Sequence, residues 1–334
     1  MPDKVLYFPY IRVPDDAWFT RVLLYWDEVG SIVPKDYVHH PEELGSHMRE
    51  LVQALLVKQV IPDEYIYQVR NFQGAFLELI ETSEIRAQRG PQRLDDRETF
   101  QIHIDKFGSE LAHRLCRAGL ARELNYPWYQ VEKTTAELFM AYLASVLGGL
   151  EQLQMKPITD QVQFLRVFRQ SPAEMSPTMA LVTDLRMAVL ERVLPAPSTG
   201  VPVRELADFK ERYASQLTRF RTKVELALWQ VASLPDDDSR AEVLRLYEQE
   251  WEDEIASIAS KMKRRNWSRL LFGTVCGVSA AAIAGVRAIG TADVSALPGL
   301  VRAVYSAFGG SPNQQEILNA PLAYAALAQE RLRK

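Results

Sequence analysis

The chain has 334 residues, of which 47% are apolar and 25% are charged. These values predict about two domains with buried cores and argue against extensive disorder. The net charge of -4 argues against a general nucleic-acid-binding protein, because phosphate binding needs a basic surface. Cys116 and Cys276 lack the spacing of a zinc or CxxC site and fit a reducing compartment. The first apolar run is too short for a signal peptide, so we expect a cytoplasmic protein.

The first 195 residues alternate strand-like and helix-like patterns. Residues 5–10 are apolar and aromatic and predict a strand, and residues 14–16 carry the proline and acidic residues of a helix start. Gly30 is predicted to end this first helix, and residues 31–33 to form a second strand. Further strands are predicted at 99–104 and 128–131. This alternation predicts an α/β domain over residues 1–195 with a mostly parallel sheet.

The helices of this domain are predicted from apolar residues spaced by three and four positions. The spacing indicates helices at 44–56, 69–84, 109–117 and 134–147. An aromatic stripe on the first helix, formed by Trp18, Tyr25 and Trp26, is typical of a buried core. Residues 86–97 combine charge, glycine and proline without apolar periodicity, so we expect an exposed loop there.

The second half of the chain has a helical pattern throughout. Prolines and glycine at 195–202 mark the end of the α/β domain. From residue 203, apolar residues recur every third or fourth position for roughly 30 residues, and a second such series follows a turn at 234–238. We therefore expect an all-α region that begins with a long antiparallel helical hairpin over residues 203–264. A C-terminal helix is predicted within residues 311–334.

Residues 265–310 form a Gly/Ala-rich apolar segment, which carries no charge from 270 to 286. Small residues recur there at every fourth position, a spacing that lets two helices approach closely, particularly in lipid. The uncharged run is shorter than the roughly 20 residues of a spanning helix, so constitutive insertion is marginal. The small residues are Gly273, Gly277, Ala281 and Gly285. A basic cluster that suits anionic lipid head groups precedes them and consists of Lys261, Lys263, Arg264, Arg265 and Arg269.

Two interpretations of this segment remain open. It engages a membrane or other copies of itself, or it is an interior helix packed against the hairpin of a soluble protein. In the second case the hairpin is the surface that binds a partner protein.

Catalytic signals are weak. His103 and Asp105 lie at the end of a predicted strand, where α/β active sites often occur, but no nucleophile accompanies them, and a structural histidine is the favoured explanation. Only His40 and His47 share a predicted helix face among a group that includes His39, Glu42 and Glu43, too few ligands for zinc. We therefore predict no metal site and no cofactor. Phosphate-binding and nucleophile-elbow motifs are absent from the sequence.

Four segments resemble an uncharacterised bacterial family known only as a domain of unknown function. They are LYFPYIRVPDDAWFTRVLLYWDEVGSIVP near the N-terminus, TAELFMAYLA at 135–144, PITD at 157–160 and LPAPSTGVPVRELADFKERYASQLTRFR at 194–221. The resemblance covers residues 5–221 and supplies no activity or functional residues. It implies a bacterial cytoplasmic origin and a loose association with phage-defence or toxin-like genes.

The leading expectation is a bacterial antiphage-defence or toxin-type effector, recruited from the cytoplasm to a membrane or assembled through its Gly/Ala-rich helices. Its expected partners are membrane lipid, a partner protein or further copies of the chain, and no nucleic acid. One alternative is a soluble helical adaptor that binds a partner protein. The other, less expected, is an enzyme that uses His103 and Asp105.

Overall fold

A computed structural model describes residues 3–81, 94, 98–161, 177–194, 201–264 and 317–332. The chain forms two compact units. Unit 1 contains residues 1–180 and 199–210, and unit 2 contains residues 181–198 and 211–334. Unit 1 carries a parallel sheet with helices, and the described part of unit 2 is helical, so the predicted fold class is confirmed. The predicted domain boundary at 195–202 falls where the chain returns from unit 2 to unit 1.

The described residues form seven strands followed or separated by helices, and the last five elements are all helical. The strands are β1 Lys4–Tyr7, β2 Glu28–Ile32, β3 Val57–Val60, β4 Thr99–His103, β5 Ala121–Asn125, β6 Trp128–Glu132 and β7 Lys156–Ile158. The helices are α1 Ala17–Tyr25, α2 Asp36–His39, α3 Ser46–Gln53, α4 Phe72–Ile80, α5 Ile104–Arg117, α6 Lys133–Gly149, α7 Pro177–Val193, α8 Val203–Arg212, α9 Ala214–Ala232, α10 Asp237–Arg264 and α11 Ala323–Leu332.

Four strands make a parallel sheet in the order β3-β2-β1-β7. Its central strand β1 is apolar because both of its faces are covered, and Val5, Leu6 and Tyr7 are each at most 2% exposed. Gly30 lies inside β2 and does not end α1, which stops at Tyr25. A Cβ at Gly30 would lie 3.1 Å from a methyl group of Leu6, so the missing side chain permits close packing in the sheet.

The second sheet is antiparallel, with the order β4-β6-β5, so the prediction of a mostly parallel sheet holds for the first sheet alone. Only Tyr126 and Pro127 separate β5 from β6, and so short a connection can join only antiparallel strands. The sequence patterns indicated β4 and β6 but missed β3, β5 and β7. Strands β3 and β7 have only four and three residues. Strand β5 has four exposed residues in a row and therefore lacks an apolar signal.

The core of unit 1 lies where α4, α5 and α6 meet. Phe139 of α6 makes edge-on ring contacts with Phe76 at 5.1 Å and with Phe107 at 5.7 Å. Of the predicted aromatic stripe, Tyr25 and Trp26 are buried, whereas Trp18 is partly exposed. This packing fixes the first turns of α5 and α6, which carry most of the polar residues discussed below.

The long antiparallel hairpin predicted over residues 203–264 is not confirmed. Its first arm is divided at Tyr213, which leaves the helical conformation (φ -112°, ψ 24°) between α8, most of which belongs to unit 1, and α9 of unit 2. The second arm, α10, is one helix of 28 residues. Lys223 of α9 forms an ion pair of 2.5 Å with Glu254 of α10, and Phe220 stacks on Tyr324 of α11 at 5.8 Å. The C-terminal helix predicted within 311–334 is confirmed by α11.

Candidate functional site

Polar residues collect at one edge of the parallel sheet. Because all four strands run in the same direction, the residues that follow them meet at their carboxyl ends, where ligand sites of α/β proteins commonly lie. Tyr10 follows β1, Asp36 follows β2, Asp63 follows β3 and Asp160 follows β7. The start of α5 joins them, since the Lys106 ammonium donates a 3.3 Å hydrogen bond to the Pro9 carbonyl. This edge is the candidate site.

His103 is the most buried polar group of the site, with 2% of its surface exposed. It ends β4 and is the N-cap residue of α5, where its Nδ1 accepts a 3.3 Å hydrogen bond from the backbone N–H of Asp105. The ring also packs edge-on against Trp128 at 5.1 Å. The cap accounts for Nδ1, but it leaves Nε2 facing Asp36 Oδ2 at 3.6 Å.

Asp36, His103 and Asp105 form a three-residue cluster. One nitrogen or oxygen ligand atom from each lies within 4.8 Å of the other two. Asp105 Oδ2 is 3.6 Å from His103 Nδ1 and accepts a 3.0 Å hydrogen bond from the backbone N–H of Lys35, which orients the carboxylate. One imidazole and two carboxylates are a donor set that suits manganese or zinc. The residues present therefore fit a divalent cation.

The charge states of the site also suit a cation. Burial lowers the pKa of His103, and the carboxylates of Asp105 and Asp36 only partly oppose this effect. Neutral imidazole is the form that binds metals. Burial, together with the negative charge of Asp105, raises the pKa of the nearby Asp63. A carboxylate of raised pKa is a better proton acceptor than an ordinary one.

Lys106 has a buried side-chain amino group, and burial alone accounts for its lowered pKa. It is 4% exposed, and burial lowers its pKa from 10.5 to about 7. Its hydrogen bond to Pro9 ties the first turn of α5 to the segment after β1. This hydrogen bond is a structural contact, because it connects the residues at the start of α5 with those that follow β1.

The structure places His103 and Asp105 together, as the sequence indicated, and adds Asp36. Sequence analysis missed Asp36 because it is 67 positions from His103 and belongs to a four-residue helix without a pattern of its own. The histidines considered for zinc do not cluster. His40 pairs with Glu42 at 3.3 Å, and His47 lies 3.7 Å from Asp15. The prediction of no metal site was made without knowledge of this cluster, and it stays a prediction.

The predicted membrane residues lie mostly outside the described part of the chain. Gly273, Gly277, Ala281, Gly285, Arg265 and Arg269 fall in 265–316, and Lys261, Lys263 and Arg264 are in the last turn of α10. Among the described residues, no helix combines the length and the apolar character needed to cross a bilayer.

The fold and the cluster define an α/β protein with a candidate cation site at the carboxyl edge of its parallel sheet. No family model, curated protein or solved structure matches the chain.

Proposed function

We propose that unit 1 is a divalent-metal-dependent hydrolase and that the protein is a bacterial effector of the phage-defence or toxin type. The observation that supports the enzymatic part is the convergence of Asp36, His103 and Asp105 ligand atoms within 4.8 Å at the carboxyl edge of the sheet. The effector part is supported by the resemblance of residues 5–221 to the bacterial family described above.

Each residue of the cluster has a distinct task in this proposal. Asp36, with 61% of its side chain exposed, would supply the most accessible ligand. His103 Nε2 would supply the buried one in the tautomer that carries the ring proton on Nδ1, where it faces Asp105 Oδ2 at 3.6 Å and the cap hydrogen bond is given up. Asp105 is held by the Lys35 N–H and balances the charge of the cation. A metal ion held by these residues would supply a bound water of lowered pKa. Asp63, whose pKa is raised by burial and by the charge of Asp105, would be the proton acceptor beside it.

The test measures Mn²⁺ binding to the EDTA-treated full-length chain by isothermal titration calorimetry. We expect one site in the wild type and a loss of affinity of about tenfold or more in Asp36→Asn. Asp15→Asn is the matched control, because Asp15 is also an exposed carboxylate (65%) beside a histidine but lies outside the cluster. Equal Mn²⁺ binding by wild type and Asp36→Asn contradicts the metal site.

The catalytic part needs a separate measurement. Hydrolysis of chromogenic phosphodiester, phosphomonoester and carboxylic ester substrates with Mn²⁺ or Zn²⁺ is compared between wild type and Asp63→Asn. We expect Asp63→Asn to bind Mn²⁺ like the wild type while its turnover falls by about 10². A wild type that binds Mn²⁺ but hydrolyses no substrate in the panel refutes the hydrolase assignment.

We also propose that residues 265–310 engage anionic membranes or associate with other copies of the chain. The support is a sequence observation, namely the small-residue ridge at Gly273, Gly277, Ala281 and Gly285 beside a basic cluster. Liposome flotation and dye release compare the wild type with Gly277→Leu and with the Arg264→Glu, Arg265→Glu double variant. We expect both variants to lose lipid binding or release.

The soluble adaptor is the alternative that these lipid assays distinguish. It predicts that Gly277→Leu destabilises the helical region by overpacking, at a cost of about 1–3 kcal/mol, in the absence of any lipid. If the purified wild type binds no anionic liposome, with or without Mn²⁺, the membrane proposal fails.

A further inference from the structure

Glu137 carries a buried carboxyl group that the proposed metal site does not use. It lies near the start of α6, is 7% exposed, and among the described residues its Oε1 has no hydrogen-bond partner. The nearest basic residue in its sequence, Lys133, forms its hydrogen bond with Glu98. Its charge lowers the pKa of Glu137, but burial and the charges of Glu132 and Glu98 outweigh it. Burying an unsatisfied carboxyl group costs free energy, so a buried site of this kind favours a ligand that donates to it.

Glu137 lies toward the same edge of the sheet as the metal cluster. Helix α6 packs against β1 and β7, and the Met155 N–H, just before β7, donates a 3.0 Å hydrogen bond to the Gly148 carbonyl at the end of α6, so the first turns of α6 lie toward the carboxyl ends of the strands. The charge of Glu137, like that of Asp160, raises the pKa of Tyr10, although burial is the larger cause. Tyr10 follows β1 and keeps 42% of its surface exposed. Its neighbour in sequence, Pro9, accepts the hydrogen bond of Lys106 at the start of α5. Tyr10 is thus influenced by the charge of Glu137 and adjoins the residue that is hydrogen-bonded to the start of α5.

Asp160 is the second carboxylate near Tyr10. It follows β7 and accepts hydrogen bonds from the Tyr7 hydroxyl at 3.1 Å and from Gln161 Nε2 at 2.6 Å. Both donors are neutral, so they orient the carboxylate without cancelling its charge. Every charged side chain that contributes to the pKa shifts of Tyr7 and Tyr10 is acidic. The region therefore combines negative potential with an exposed aromatic ring.

We propose that Glu137, Asp160 and Tyr10 form a subsite for a cationic nitrogen group, an ammonium or guanidinium, on the substrate of unit 1. Such a group donates hydrogen bonds to the unpartnered oxygen of Glu137, its charge matches the two carboxylates, and it lies favourably over the face of a tyrosine ring. A neutral or anionic group lacks the positive charge that the two carboxylates and the ring face favour. The assignment of this cationic group to a substrate rests on the proposed hydrolase function, whereas the binding of a cation at this subsite does not.

The test titrates agmatine, which carries both a guanidinium and an ammonium, into the metal-free full-length protein by calorimetry. Neutral 1,4-butanediol, of the same carbon length, is the negative probe. We expect agmatine to bind the wild type, its affinity to fall about tenfold or more in Glu137→Gln, and butanediol not to bind. Glu78→Gln, an exposed glutamate of α4 in the same unit, is the matched control and should bind agmatine unchanged.

A second readout separates a binding role from a structural one. Because burial raises the pKa of Glu137, a cation that binds the ionised carboxylate should displace a proton at mildly acidic pH. Titrations in two buffers of different ionisation heat measure this release, which should vanish in Glu137→Gln. Tyr10→Ala, at an exposed position, removes the ring without touching the core and should weaken agmatine binding several-fold.

Three outcomes decide the inference. The absence of agmatine binding by the wild type, or equal affinities for wild type, Glu137→Gln and Tyr10→Ala, overturns it. Asp36→Asn should bind agmatine like the wild type. If agmatine binds and Mn²⁺ does not, the cation subsite is supported while the metal-dependent hydrolase is refuted, so the two proposals can fail separately.

Discussion

Replacement of Lys106 by methionine should make the protein more stable at neutral pH. The folded-state pKa of Lys106, about 7, lies below its ordinary value of 10.5, so between these pH values the unfolded chain binds more protons than the folded one. Stability therefore rises with pH across this range and is lowest, as far as this lysine is concerned, at pH 7 and below. One pH unit corresponds to about 1.4 kcal/mol, so the full difference is roughly 5 kcal/mol.

Methionine removes this cost but also removes a donor. The Pro9 carbonyl, which accepts from Lys106 at 3.3 Å, loses its partner, and an unsatisfied buried acceptor costs about 1–3 kcal/mol. Lys106→Met should then be about 2–4 kcal/mol more stable than the wild type at pH 7. The advantage should shrink as the pH rises and should vanish between about pH 8.5 and 10, where the remaining cost of the buried lysine equals that of the unsatisfied carbonyl. Only well above pH 10.5 is the wild-type lysine neutral in both states.

The assay is urea unfolding in EDTA at pH 7, 8 and 9, read by hydrogen-exchange mass spectrometry of peptides from β1 and α5. EDTA is needed because a cation bound between Asp36 and Asp105 would itself lower the pKa of Lys106. Lys58→Met, at an exposed position on β3 with 48% of its side chain in solvent, should change the free energy of unfolding by less than about 0.5 kcal/mol. A difference between wild type and Lys106→Met that stays constant from pH 7 to 9 would refute the reasoning.

Three further substitutions test the packing around the site and in unit 2. Glu132→Ala should cost about 1–2 kcal/mol, since Glu132 Oε2 caps α6 by accepting from the Thr135 N–H at 2.8 Å. Gly30→Ala should cost about 1–3 kcal/mol, because its Cβ would lie 2.8 Å from Met155 Sδ. Tyr324→Ala should cost about 3–5 kcal/mol in unit 2, because this ring is fully buried. Urea unfolding measures all three.

The location of each stability change in the structure is as informative as its magnitude. Hydrogen exchange should report the Glu132 and Gly30 substitutions in peptides of unit 1, and the Tyr324 substitution in peptides of α9, α10 and α11. A Gly30→Ala protein as stable as the wild type would mean that the sheet accommodates a methyl group by shifting Met155. An unchanged α6 in Glu132→Ala would show that the cap contributes nothing measurable.

Part of the fold was predictable because the signals were local. Apolar spacing indicated α6 and α9, and the alternation of elements indicated a parallel sheet, since these depend on neighbouring residues. Strand β5 was missed because its last four residues are exposed, and Gly30 was misread because a glycine that permits packing between strands resembles one that ends a helix.

Sequence patterns predicted only some of the residues of the candidate site. His103 and Asp105 were found because they follow a recognisable strand, two residues apart. Asp36 and Glu137 were not, since one is exposed after a short strand and the other lies in an apolar helix. Only the folded chain brings them to one edge of the sheet. The burial that gives Glu137 its chemistry is a tertiary property, which no spacing of residues in the sequence reports.

The division of the chain into units 1 and 2 has a practical consequence for dissecting the protein. Each unit is assembled from two separate stretches of sequence, since 181–198 belongs to the second and 199–210 to the first. A truncation at residue 195 would deprive the N-terminal fragment of α8 and the C-terminal fragment of α7. Activities should therefore be assigned by point substitution in the intact chain. Two co-expressed fragments should regain function only if residues 181–195 of the first pack into unit 2 and residues 199–210 of the second pack into unit 1.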